Sequence, residues 1–205
     1  MSGYCESNCG LTPESAGQRR TLRIVLGINA IMFVVIVVSA FVGRSASLLA
    51  DSLDNLGDAM TYGLSLFVVA KGAEAKAKVA LFKGALILLA AIGISGQVVY
   101  KIFFPVVPRY EIMGVFSLLA LAANSVCLFL LWRHRHEDVN MSSVWECSRN
   151  DIATNLSVFA AAGAVWFSGA AWPDLLVAVG LVILLIRSAV RVNSSALTVL
   201  RGANT

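Results

Sequence analysis

The chain is expected to be an all-α membrane protein with six transmembrane helices and both termini cytoplasmic. Three observations lead there. Of its 205 residues, 58% are hydrophobic and only 14% charged, against about 25% charged in ordinary soluble domains. Apolar runs recur along the whole length, at 23–43, 46–70, 79–104, 111–132, 143–168 and 173–193, and about 20 apolar helical residues suffice to cross a bilayer. The basic residues are distributed unevenly about these runs. Arg19, Arg20, Arg23, Lys71, Lys76, Lys78, Arg133, Arg135, Arg191 and Arg201 fall on one side, while Arg44, Lys101 and Arg109 fall on the other. Cytoplasmic loops carry the Lys and Arg excess, so the first side is assigned inside. The connection at Trp172, Pro173 and Asp174 has neither residue type and is assigned outside.

Taken in order, residues 1–18 form a polar cytoplasmic tail with no apolar core or cleavage site of the secretory kind. Residues 19–196 form one six-helix transmembrane domain, and 197–205 a short cytoplasmic tail. The 72–78 connection is short, charged and helix-friendly, whereas Pro105 and Pro108 bracket an outer turn. Short connections make successive helices antiparallel neighbours. Asn29 in the first span and Asn124 in the fourth echo one another faintly, as two inverted three-helix halves would. Lys83, Lys101 and Glu111 read as interface anchors. Arg149 reads as a residue that snorkels to the membrane surface, and Arg187 as one that either snorkels or pairs with an acidic group. The net charge of +4 sits at membrane boundaries, which makes the lipid bilayer the partner and excludes nucleic acid.

The second span carries what the others lack. Asp51, Asp54 and Asp58 recur at spacings of three and four, which places them within roughly 60° of one helix face. A carboxylate at bilayer centre costs about 2.5–3.5 kcal/mol on insertion scales. Three together require a face that looks into the bundle or into water. The fifth span supplies Cys147 and Asp151 at i and i+4. Running antiparallel, that pair approaches the levels of Asp58 and Asp54. Asp54, Asp58, Cys147 and Asp151 would then offer four ligands to a dication, a number suited to tetrahedral geometry. Asp51, Asn55, Asn150 and Asn155 lie near the same faces as accessory or outer-shell groups, with Thr154 and Tyr62 beside them. His134 and His136 in the fourth connection, and Cys5 and Cys9 in the tail, suggest at most a weak cytoplasmic capture patch. Reduced cytoplasmic thiols form no disulfide framework. Cys127 reads as a packing residue.

The segment SLLADSLDNLGD at 47–58 resembles the second-helix pattern of the cation diffusion facilitator family. The segment WECSRND at 145–151 falls where that family carries His-x-x-x-Asp, with Cys147 in the histidine's place. The resemblance covers the whole membrane region. It implies that Asp54, Asp58 and Asp151 bind metal, and that Asp51 matches an acidic residue often found three positions earlier. It further implies export of a divalent transition metal from the cytoplasm across the cell (inner) membrane by metal/proton antiport. Zinc is the first candidate, with cobalt, cadmium, iron or manganese behind it. A homodimer is the family default. The metal is cargo, no cofactor is implied, and no enzymatic activity is expected. Family members usually continue into a cytoplasmic ferredoxin-like domain, so a transporter without that domain is expected here. The alternatives are a non-transporting metal-binding membrane subunit and, more remotely, an intramembrane phosphotransferase. The latter's Asp-x-x-Asp-Gly-x-x-Ala-Arg pattern fails at Asn55.

Overall fold

The computed structural model describes residues 16–67, 73–132 and 139–202, and they are helical throughout apart from three turns. The helices are α1 (Ala16–Gly43), α2 (Ala46–Phe67), α3 (Ala73–Phe103), α4 (Tyr110–Trp132), α5 (Val139–Ser168) and α6 (Trp172–Gly202). This is the expected all-α membrane architecture. Four of the six are long and apolar enough to cross a membrane unaided: α1, α3, α4 and α6. The remaining two, α2 and α5, are those whose apolar runs are interrupted by Asp51, Asp54 and Asp58 or by Asp151.

Helices α1, α3, α5 and α6 all outrun the apolar segments at one end of the bundle. Here α3 begins at Ala73 and α6 continues to Gly202. The added turns contain Glu74, Lys76 and Arg201, good helix formers that keep the backbone paired after the chain leaves hydrocarbon. This is the end at which α1 begins and α6 finishes.

The opposite end is fastened by a small polar knot. The α1–α2 turn passes through Arg44 at a φ of 53°, a left-handed conformation uncommon for a residue with a Cβ. Ser45 then caps α2: its Oγ accepts a hydrogen bond from the Leu48 N–H at 3.1 Å. Asp174, in the first turn of α6, caps the same helix from a distance. Its carboxylate accepts from Ser45 Oγ at 2.6 Å, Ala46 N–H at 2.8 Å, and Ser47 N–H and Oγ at 3.0 and 2.6 Å. Lys101 near the end of α3 donates to the Arg44 carbonyl at 2.7 Å, and the Arg109 N–H before α4 donates to the Gly43 carbonyl at 2.8 Å. The reading of Lys101 as an interface anchor is therefore corrected. It is only 8% exposed, because its ammonium terminates the knot. These contacts gather the end of α1, the start of α2, the end of α3, and the starts of α4 and α6 at one level, so the helices alternate in direction.

Packing groups the helices in pairs: α1 with α2, α4 with α5, and α3 with α6, with α1 also lying against α4. Helix α2 touches α1, α3, α5 and α6. Large apolar side chains such as Ile31, Leu89, Phe129 and Phe167 are exposed on the outer faces of the other helices, but the described residues of α2 contribute none. The most acidic helix is thus the central one. The apolar core runs beside it, through Ile36, Leu48, Ile87, Ile94, Met113, Val158 and Leu185. Asn29 and Asn124 are both buried, at matching depths of α1 and α4. The Asn29 amide donates to the Val25 carbonyl at 3.0 Å and reaches the Cys127 sulfur at 3.9 Å. Cys127 packs in a second apolar cluster with Leu22, Val25, Tyr62 and Leu131, as its position suggested.

Candidate metal site between the second and fifth helices

A cavity of about 440 Å³ lies within the half of the bundle nearer the chain ends. Its walls come from the later turns of α2 and α6 and the earlier turns of α3 and α5. Helix α2 brings Asp54, Gly57, Asp58, Thr61 and Tyr62; α5 brings Asn150, Asp151, Thr154 and Ser157; and α3 brings Lys83, Gly84 and Ile87. Leu181, Leu185, Ser188 and Val192 of α6 close the last side. Gly84 belongs there for a steric reason. A Cβ at that position would collide with the Asn193 side chain of α6, so its absence lets α3 and α6 meet behind the cavity.

Helical spacing aims the acids inward. Asp54 and Asp58 are one turn apart on α2, and α5 runs antiparallel beside it. At the centre the Asp58 and Asp151 carboxyl groups lie within hydrogen-bonding reach of one another. Tyr62 Oη donates to Asp58 Oδ2 at 3.3 Å. The Lys83 ammonium acts on Asp58 through its field and donates a hydrogen bond to Thr61 Oγ1. Thr61 in turn donates to the Gly57 carbonyl at 2.8 Å, which fixes its rotamer. Of the side chains lining the cavity, three are carboxylates and one is an ammonium, leaving a formal charge of −2 when all are ionised. That balances a dication, and a charge balance is what a low-dielectric site requires.

Asp54, Asp58, Asp151 and Asn150 therefore line one cavity. Asp51, Asn55 and Asn155 do not line it. All three are buried, at 1–2% exposure, farther toward the fastened end. Cys147 lies on α5 one turn before Asp151, and its thiol is outside the described side chains. His134, His136, Cys5 and Cys9 also fall outside the described residues. Among the described side chains, no three of the His, Cys, Asp or Glu type converge closely enough to hold an ion by themselves. Lys83 is the residue that sequence reasoning misplaced, for it faces the cavity and not the membrane surface. The sequence carries no local signal for this: Lys83 lies one residue from Gly84 and one turn from Ile87, and that face of α3 is buried because α3 packs on α6.

Acidic groups from the two least apolar helices, gathered inside a membrane bundle beside a cavity, form a place where a metal cation can leave water. A family description of the cation efflux transmembrane domain matches residues 22–201. The chain belongs to the cation efflux family. No curated protein matched it. As a cation efflux protein it is a multi-pass membrane transporter of metal cations, from a family of transporters and not of enzymes. The match spans all six helices.

Proposed function

We propose that this cation efflux protein exports a divalent transition metal from the cytoplasm in exchange for protons. The observation that carries the reading is the meeting of Asp58 and Asp151 at the heart of the cavity. Two carboxyl groups that close share a proton or a metal, and metal binding to such groups releases protons. With the cavity open toward the chain ends, a dication entering from the cytoplasm displaces protons from Asp54, Asp58 and Asp151. With the site open to the other face, protons displace the metal. The helices rock about a fixed site near the bilayer midplane.

Cys147 is assigned as the fourth ligand, one turn from Asp151. A thiolate beside carboxylates favours Zn²⁺, and also Cd²⁺ or Co²⁺, over Mn²⁺ or Fe²⁺. Lys83 completes the site as a resident cation near Asp58. With a Cys147 thiolate added, three carboxylates and one ammonium sum to a formal −3, and one proton retained among the acidic ligands restores the −2 that a dication balances. The protein is assigned to the cell (inner) membrane with both termini cytoplasmic, and it works as a homodimer. The test is a panel of metals presented to purified protein in liposomes carrying an internal pH probe. Zn²⁺ movement coupled to opposite proton movement is the expected result. Metal binding with no movement in either direction would instead identify a metal-binding subunit.

A further inference from the structure

Beyond the cavity, toward the fastened end, α2 and α5 bury a second polar group that the divalent site does not use. Asp51 is 1% exposed, and neither of its carboxylate oxygens has a hydrogen-bond partner. The Oδ1 atoms of Asn55 and Asn155 are likewise buried and unpartnered. Both amides are oriented by their own helices. Asn55 Nδ2 donates to the Asp51 carbonyl at 3.3 Å and Asn155 Nδ2 to the Asp151 carbonyl at 2.7 Å. The donating ends are thus turned to the backbone, and the acceptor ends are left over.

Helix geometry places these oxygens together. Asp51, Asn55 and Asp58 form one stripe of α2, and Asp151 and Asn155 form the stripe of α5 that meets it at the Asp58–Asp151 contact. At 1.5 Å per residue, Asn55 and Asn155 both stand roughly 4–6 Å beyond that contact, and Asp51 roughly 10 Å beyond it. The charged groups acting on Asp51 are the carboxylates of Asp54 and Asp151. The set is therefore all acceptor: two carboxylate oxygens and two amide oxygens. Leaving such groups buried and unmatched forfeits the hydrogen bonds they make in water. A proton on Asp51 does not resolve this, because it supplies one donor to four unpartnered acceptor oxygens and leaves the rest unmatched.

We propose that Asp51, Asn55 and Asn155 form a second cation site, for a small monovalent ion of the sodium class. The donor set is hard oxygen only, which disfavours soft transition metals. One carboxylate and two neutral amides carry a single negative charge. A monovalent ion balances it, whereas a dication would leave an uncompensated buried positive charge. The role of the site rests on the transporter reading above, but its existence does not. A cation there lies within the field of Asp151, so it weakens the dication's hold on the cavity, and the dication weakens the monovalent ion's hold by the same factor. The monovalent ion is then a driving partner for metal release.

The test is direct binding of ²²Na⁺ to the purified full chain in detergent, without divalent metal. Saturable binding is expected, displaced by unlabelled Na⁺ and not by choline or equally by K⁺. Asp51→Asn, which preserves shape, is expected to weaken it at least tenfold, and Asn155→Leu to weaken it severalfold. In wild-type protein Na⁺ is also expected to raise the melting temperature relative to choline, a measurement that needs no variant. Absence of saturable binding overturns the proposal and leaves a water-satisfied polar patch. Binding untouched by Asp51→Asn overturns it as well, as does equal displacement by K⁺. Should ²²Na⁺ bind as expected while liposomes show no metal–proton exchange, the proposed antiport fails and the second site stands.

Discussion

At the scale of single residues, the cavity is a balance between three carboxylates and one ammonium. Asp54→Ala, Asp58→Ala and Asp151→Ala are each expected to abolish metal transport in liposomes while leaving a folded protein. Each removes a proposed ligand and also relieves a buried charge. Asp51→Ala should be milder toward the dication, since Asp51 lies outside the cavity wall. A dead Asp51→Ala beside an active Asp54→Ala would shift the site outward by a turn. Lys83→Met removes the resident cation near Asp58. It is expected to tighten Zn²⁺ binding by about tenfold, the equivalent of 1.4 kcal/mol, and to slow turnover because release becomes harder; titration calorimetry and flux measure the two halves. Cys147→Ser should weaken Zn²⁺ and Cd²⁺ binding far more than Mn²⁺. The carboxylates were legible in the sequence because a charged residue inside an apolar run has few bland explanations. Lys83 was not. A lone lysine near the start of a span reads equally well as a snorkelling anchor, and only the packing of α3 on α6 decides which way it faces.

At the scale of elements, α2 is the helix that most needs outside support. It is central, acidic and not apolar enough to span alone, and its first turn is capped twice, by Ser45 from within the chain and by Asp174 from α6. Asp174→Ala strands two backbone N–H groups and removes the acceptor of two serine hydroxyls. Each unsatisfied buried group costs about 1–3 kcal/mol. The variant is therefore expected to melt at a clearly lower temperature in detergent, and Ser47→Ala, which deletes one bond, by a small fraction of that drop. The sequence located this turn and its polarity, but not the cap. Asp174 is 127 residues from Ser47, and no local pattern reports a pairing that only the fold creates. The helix bounds show the opposite case. Sequence hydropathy reports where hydrocarbon ends, whereas α3 and α6 continue as helices into the polar region, because good helix formers do not stop at the membrane surface.

At the scale of the whole molecule, the proposed exchange sets the sign of the pH response. Protons and metal compete for the same carboxylates, so Zn²⁺ affinity should fall as pH is lowered, and transport should stop when the pH gradient is collapsed. Calorimetry in buffers of different ionisation enthalpy measures the protons released, and a buffer-independent heat would remove proton exchange from the mechanism. Tag-accessibility mapping should find both chain ends on the cytoplasmic face, as the Lys and Arg asymmetry requires. The pairing of helices carries a further consequence, for the making of the protein. The three aspartates of α2 represent on the order of 10 kcal/mol against entering lipid as a lone segment. Yet α2 is synthesised directly after α1 and packs on it, and α5 directly after α4 and packs on that. Each acidic helix thus follows an apolar escort out of the ribosome. A chain in which α1 was exchanged for an unrelated apolar span should leave α2 stranded in water during translation, although the substituted segment itself would insert. The aspartates proposed to carry a cation across the membrane also tie the protein to the order in which its own helices are born.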